Sequence, residues 1–385
     1  MTRQFVPFDD SYRVPADVRV SRGVRVGKRL FVCGQMDLDA SGQACHPGDL
    51  ETQTDRAMTL LCDVIEKAGM KPAHTVQLHV FYKGEPDQAS YRRQILDRFP
   101  QFFEALILLT PVASYPSKGA DVEIDAIVVE DDWSAIVEDE SGRVVGARRG
   151  EWAFVQGHST SQILEVQVAE IAARVHRVLQ GLRADIEDVC RVNAYFSGAL
   201  DTETVARAEQ QLASVFAESA PSYHATVLPR PLPAGQGLLV EVIALRATDG
   251  SRLPRTSAEG SAAWSWPNEL PYSQAVRCAD TVFVSSQLPI NGDGRVSPLG
   301  DIAGQTHLVM RHMASALESV GANFSHMTKV NAYFKGHENQ EDWSVNVGIR
   351  SGYYVKPGPA STGIEVTRLS AEGALISADC VAIID

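Results

Sequence analysis

The chain has 385 residues, 44% of them hydrophobic and 22% charged, with a formal net charge of −13. That balance allows two or three packed globular domains without staples, and the acidic surplus argues against nucleic acid as the main ligand, because phosphate binding needs clustered lysines and arginines. Six cysteines without a CxxC pair fit reduced thiols, no run approaches membrane-spanning length and residues 1–13 lack the apolar centre of a leader, so a cytoplasmic protein with no membrane partner is expected.

Residues 29–35 read as a buried strand ending at the turn glycine Gly34. A helix follows, with Met58, Leu61, Ile65 and Ala68 at helical spacing and Gly69 closing the run. Residues 75–82 form the next strand, residues 91–103 a second helix, and residues 121–129 alternate as a half-buried strand before turning continuously apolar. Glu130-Asp131-Asp132 and the polar residues 138–143 mark a boundary, and residues 152–158 restart the pattern. Val168, Ile171, Ala172, Val175 and Leu179 make one helical stripe, residues 205–216 a second helix, and residues 238–244 a closing strand. The Ser-, Ala-, Gly- and Arg-rich residues 248–266 read as a linker. Beyond it come a strand at 281–289, a helix carrying Val309, Met313, Ala316, Leu317 and Val320, and a last strand at 375–384.

One stretch ties these segments together. Val330-Asn331-Ala332-Tyr333-Phe334-Lys335-Gly336 is echoed by Val192-Asn193-Ala194-Tyr195-Phe196-Ser197-Gly198 and, more faintly, by Leu78-His79-Val80-Phe81-Tyr82-Lys83-Gly84. A helical Gln precedes each terminal glycine at the same interval: Gln53, Gln167 and Gln305. Such self-similarity predicts three α+β repeats, at 1–132, 133–250 and 251–385. Helices on one side of each sheet leave its other face open, and three sheets can bury those faces against each other around a central axis.

The motifs Pro271-Tyr272-Ser273-Gln274-Ala275-Val276, Ser285-Ser286-Gln287 and Pro359-Ala360-Ser361-Thr362-Gly363-Ile364-Glu365-Val366-Thr367-Arg368-Leu369 resemble, in this order, those of the Rid/YjgF imine and enamine deaminases, also known as endoribonuclease L-PSP. The resemblance implies chorismate-mutase-like units, homotrimers with a ligand cleft between neighbours, and hence a pseudo-trimer in this chain. It implies four catalytic parts: an Arg that clamps the substrate carboxylate, a carboxylate that directs water at the imine carbon, a Tyr at the mouth and a backbone N–H at the turn glycine. Aligned on the family, the carboxylates are Asp125, Glu241 and Asp379. The Tyr survives as Tyr272, with Val20 in its place in the first repeat, and the turn positions are Gly34, Gly157 and Ser286. The Arg is replaced by an apolar residue near Ile107, by Tyr223 and by Ser361, with Arg230 and Arg368 a few residues on.

The expected catalytic residues are therefore Glu241, Asp379 and Tyr272, in the second and third repeats, with the first contributing packing. Ser361, Glu365, Ser286, Gly157, His158, Tyr223 and His224 are expected to line the substrate site, with His158, Tyr223, His224 and Glu241 converging on one interface. No HxH or HExxH motif is present, and neither metal nor cofactor is expected. The expected function is C–N chemistry on a small reactive amine in a cleft between repeats, either hydrolytic deamination of an imine or enamine or a related dehydration or cyclisation. Without the Arg clamp, a generic imino acid is expected to be a poor substrate. The alternatives are a non-catalytic small-ligand-binding protein and, with Lys83, Lys335 and Ser197 failing to supply a Ser–Lys pair in every repeat, a ring-opening amidohydrolase of the cyanuric acid hydrolase and barbiturase type. A small-molecule partner is implied, with the chain acting as a monomer or a small homo-oligomer.

Overall fold

The computed structural model describes residues 2–9, 18–159, 161, 163–230, 232, 236–258, 270–336 and 340–385. The first sheet is built from β1 (Arg3–Val6), β2 (Gly23–Val26), β3 (Arg29–Gln35), α1 (Leu50–Lys67), β4 (Thr75–Tyr82), α2 (Gln88–Arg98), β5 (Leu106–Pro111) and β6 (Val122–Val129). Its strand order is β1-β2-β3-β6-β4-β5, with β4 and β5 parallel across the α2 crossover. The second repeats that order with β7 (Ser134–Glu138), β8 (Val144–Arg149), β9 (Trp152–Gly157), α3 (Leu164–Gly181), β10 (Val189–Phe196), α4 (Thr202–Val215), β11 (Ser222–Val227) and β12 (Leu238–Leu245). The third repeats it again with β13 (Arg255–Ala258), β14 (Ala275–Cys278), β15 (Thr281–Gln287), α5 (Ile302–Ser319), β16 (Met327–Lys335), α6 (Gln340–Tyr353), β17 (Ala360–Val366) and β19 (Ile376–Ile383). The short β18 (Arg368–Leu369) leaves the third sheet and pairs with β11 of the second.

The architecture is α+β with three sheets and, among the described residues, six α-helices. Two details differ from the sequence reading. The polar residues 138–143 are the hairpin turn between β7 and β8, because Asp139 accepts from the N–H groups of Ser141 and Arg143 and tightens the turn. The expected linker contains β13, while residues 259–269 lie outside the described residues. None of the described helices is long and apolar enough to cross a membrane.

Aspartates cap four of the helices: Asp49, Asp87, Asp201 and Asp301 each accept a backbone N–H in the first turn, which satisfies one of the donors a helix start leaves unpaired. The repeated Gln has one task performed three times. Gln53 donates to His46 O and Gly119 O and accepts from Asp121 N. Gln305 does the same with Pro298 O, Gly373 O and Leu375 N, and Gln167 with Ser161 O and Gly237 N. A buried amide thus ties the loop before the helix to the loop before the last strand. Its spacing from the strand-end glycine is fixed by the fold.

Each helix layer covers one face of its sheet with its own apolar cluster, and the opposite faces meet at the centre. There Trp152 packs edge-on to Phe31, at 5.8 Å between ring centroids, and lies 5.6 Å from Phe283, so one indole touches all three repeats. Beside this apolar plug lies a buried polar ring. Equivalent strand residues Gln77, Arg191 and Lys329 reach the carboxylates of the next repeat: Gln77 donates to Glu241, Arg191 pairs with Asp379 at 2.5 Å and Lys329 with Asp125 at 2.7 Å. Asn193 and Asn331 add amide donors to Glu241 and Asp379. Burial holds His79 down to about 4 and His224 well below its ordinary value. The neutral rings stack on Phe81 and Tyr333, with centroids 3.8 and 4.0 Å apart.

Removing one partner of a buried ion pair strands the other charge, at a cost of about 3–5 kcal/mol. Arg191→Met is therefore expected to lower the denaturation midpoint steeply, and the double variant Arg191→Met/Asp379→Leu to regain most of the loss. Additive losses in the two single variants and the double would contradict the coupling.

Candidate functional site

The cyclic arrangement carries the arm strand of each repeat over the sheet of a neighbour: β17 over the first sheet, β5 over the second and β11 over the third. Cross-strand register identifies equivalent positions. Ile107, Tyr223 and Ser361 pair with Leu78, Val192 and Val330, so the three arm positions expected to have lost the Arg are equivalent. Glu123, Leu239 and Ser377 are likewise equivalent, opposite Phe81, Tyr195 and Tyr333.

The cleft between the first and third repeats has an empty volume of about 660 Å³. Its floor is the bulge Cys33–Gly34, where the register of β3 against β6 shifts between Val32 and Gln35. Gln35 pins the bulge through Nε2 to Cys33 O, and the buried Arg22 guanidinium holds Gln35 Oε1. A bulge re-aims the local backbone, and here it brings Gly34 against Glu123 so closely that a Cβ would overlap the carboxyl. Glu123 is 5% exposed and lines the cleft, with Oε2 lacking a hydrogen-bond partner among the described residues. Burial, reinforced by Asp125, pushes it up to about 8, while Lys329 and the Gly363 N–H offset part of the push. Cys33 is pushed up to about 12 by burial and is a neutral thiol.

The opposite wall belongs to the third repeat: Ser361 and Gly363 of β17, and Trp343, Val347 and Arg350 of α6. Arg350 is 1% exposed, donates Nε to Asn346 Oδ1 at 3.1 Å and Nη1 to Tyr354 Oη at 3.2 Å, and has no carboxylate ion pair among the described residues. Val20 lines the mouth where the family places its Tyr, and Tyr115 also lines the cleft, with its hydroxyl donated to Phe81 O at 2.7 Å.

The other two interfaces differ. Between the second and third repeats, Tyr223 stacks on Tyr272 with centroids 4.1 Å apart and planes 7° from parallel. The Tyr223 hydroxyl donates to Glu209 at 3.0 Å and its N–H to Ser285 Oγ at 2.8 Å. Both rings are buried, so they fill this interface. The cleft between the first and second repeats is wide, with an empty volume of about 1400 Å³, and is lined by Arg92, Arg93, Arg143, Gln156, His158 and Leu239 among others. Its sheet has no bulge: Gln156 pairs with Glu241 and Gly157 with Val240 in continuous register. Gly157 therefore stands level with Gln35, two residues past Cys33 rather than at the position of Gly34.

The structure disperses the residues expected to catalyse and to bind substrate. Glu241 and Asp379, with Asp125, are in the axial ring, and His224 lies beside them, 0% exposed. Tyr272 and Tyr223 fill the second interface, where Ser286 is also buried, and His158 faces the cationic cleft. Ser361 alone of these faces the cleft of Glu123. Glu365 is fully buried, with its carboxyl against Gly336. Arg368 bonds Thr202 and Leu200 O of the second repeat, and Arg230 pairs with Glu85 at an exposed site, so neither guanidinium points into a cleft. Glu123 and Arg350 were not singled out from the sequence. A signal for Glu123 existed in Val122-Glu123-Ile124-Asp125, where two acids share one strand face; for Arg350 there was none.

The family model described as Endoribonuclease L-PSP matches residues 12–130 and 266–384. The chain belongs to this family. Its second repeat lies outside the match, in keeping with the missing bulge there. A RutC family protein of Pyrococcus abyssi is 33% identical over 99 residues, covering 26% of this chain and 76% of that protein. A 2-iminobutanoate/2-iminopropanoate deaminase of Dermatophagoides farinae is 28% identical over 99 residues, covering 26% and 75%. Among solved structures, a chorismatase superposes with a TM-score of 0.57 at 14% identity, over 80% of this chain and 93% of that one, a likeness of fold.

A carboxyl whose native pKa lies above its ordinary 4.5 binds more protons folded than unfolded, so stability falls as pH rises between about 4.5 and 8. Glu209 and Glu241, each pushed up to about 7 by burial, add to this slope. Glu123→Gln is expected to flatten it, narrowing the difference in melting temperature between pH 5 and pH 8. An unchanged slope would mean that Glu123 ionises as an ordinary surface acid.

Proposed function

We propose that the chain hydrolyses the C=N bond of a small imine, or of the enamine that tautomerises to it, in the cleft between the first and third repeats. The observation that carries this reading is Glu123: a buried carboxyl lining an open cleft, one oxygen without a partner among the described residues, its proton held to about 8. An acid tuned to neutral pH both gives and takes a proton during turnover. Glu123 protonates the imine nitrogen, and water adds to the carbon. The resulting carboxylate then accepts a proton from the added water, and the carbinolamine collapses to a carbonyl compound and ammonia. The deaminase named above supports the same class of substrate.

Arg350 supports a substrate that also carries an acidic group. A guanidinium 1% exposed in a cleft wall, without a carboxylate partner among the described residues, favours an anion as counter-charge. In this reading α6 supplies the grip that the family takes from the arm, and the small Ser361 leaves room for it. That grip reopens α-imino carboxylates, which the arm sequence alone disfavours.

The test is steady-state hydrolysis of 2-iminopropanoate generated in the cuvette by an amino-acid oxidase. Glu123→Gln is expected to lower kcat by about a hundredfold to ten-thousandfold, and Arg350→Gln to raise KM by about tenfold or more with less effect on kcat. Full activity in Glu123→Gln would overturn the assignment of the cleft.

A further inference from the structure

We propose that the wide cleft between the first and second repeats binds a small polyanion, a compact molecule bearing at least two negative charges, and that it does so without catalysing the reaction of the Glu123 cleft. It occupies the equivalent place, the ends of interior strands covered by a neighbour's arm, but its chemistry is inverted. Leu239 stands at the position of Glu123, and Gln156 at the unbulged strand end gives no room for a turn glycine. No acid stands at that position, and cations line the cleft around it.

Arg92 and Arg93 come from α2, and Arg143 from the β7–β8 hairpin. Arg174 of α3 stands just behind His158. Arg143 Nη2 and Arg174 Nη1 lie 2.7 and 2.8 Å from the same nitrogen of His158, Nε2. One imidazole nitrogen has one lone pair, so it satisfies one such donor and leaves two like charges side by side. Burial and these two guanidinium groups push His158 down to about 3, so the ring itself adds no charge. Asp139 neutralises Arg143 at 3.0 Å. Among the described residues no carboxylate lies within ion-pair distance of Arg92, Arg93 or Arg174, and the acidic residue of the lining is Asp97.

This concentration of cations runs against a chain of net charge −13. Scattered surface arginines would sit among that chain's acids; these are gathered from three elements of two repeats into one concave surface. Planar guanidinium groups arriving from different directions suit phosphoryl or carboxylate oxygens, which accept paired N–H donors. The enclosing walls suit a small molecule, and the surrounding acidity repels a long polyanion.

The experiment is titration calorimetry of the full chain with pyrophosphate and with citrate at low ionic strength, acetate serving as a monoanion control. Saturable binding of one probe with Kd below about 1 mM, weakened about tenfold in Arg143→Gln and again in Arg93→Gln, is expected. The Arg93 side chain is exposed, so its variant tests the site without risk to the fold. The stronger of the two probes tells whether phosphoryl or carboxylate oxygens are read, and Glu123→Gln is expected to keep the affinity. The proposal is overturned if neither probe binds, if acetate binds as tightly, if the arginine variants keep full affinity, or if Arg350→Gln abolishes binding and so moves the anion to the other cleft.

Discussion

Three buried donors, each reaching a carboxylate of the next repeat, hold the protein in register around its centre. The clefts depend on that ring, because they exist only where one repeat's arm meets another's sheet at a fixed angle. The ring is unequal. Lys329 and Arg191 bring formal charge to Asp125 and Asp379, whereas Gln77 offers Glu241 only an amide. Burial leaves Glu241 pushed up to about 7, with Asn193 and Arg191 offsetting part of the cost. Within the ring, the joint between the first and second repeats is thus the one whose donor carries no charge, and it lies beside the wider of the two clefts. The desolvation of buried ions offsets much of their attraction, so such a ring is costly to break at one partner without adding much net stability.

Covalent fusion frees the three interfaces from having to be alike. In a symmetric trimer a change that fills one cleft fills all of them. Here Tyr223 and Tyr272 close one interface by stacking, arginines line the second, and Glu123 occupies the third. The equivalent residues Glu123, Leu239 and Ser377 record this divergence at a single strand position.

Much of the architecture was legible in the chain, because the features that announce it are local and repeated: the amphipathic helices, the buried Gln that ties two loops, and the glycine at the end of the echoed strand. The arm positions were legible too, since register fixes Ile107, Tyr223 and Ser361 as equivalents. The carboxylates were harder. Glu123 and Asp125 sit two residues apart on one strand and face the same side, so sequence spacing does not tell which meets the axis and which meets a cleft. That choice is made by where the neighbouring arm crosses, a tertiary fact. Gly157 misled for a related reason: a one-residue bulge present in two sheets and missing from the other shifts the apparent alignment of the turn. Arg350 lies on a helix, and which of its residues reach across to another repeat depends on packing that no local pattern encodes.

The segment just before β2 passes over the third repeat: Ser21 N–H donates to Pro359 O, its hydroxyl to Gly358 O, and the Arg19 guanidinium to Tyr354 O. The acid of the Glu123 cleft is therefore made early in synthesis and its opposite wall late. A nascent chain that has folded its first sheet on the ribosome carries Glu123 with one side of the pocket open to water, where a carboxyl ionises normally. Only when β17 has emerged and settled does the group lose its hydration and hold its proton, so the closed Glu123 cleft forms after the third repeat has folded onto the first.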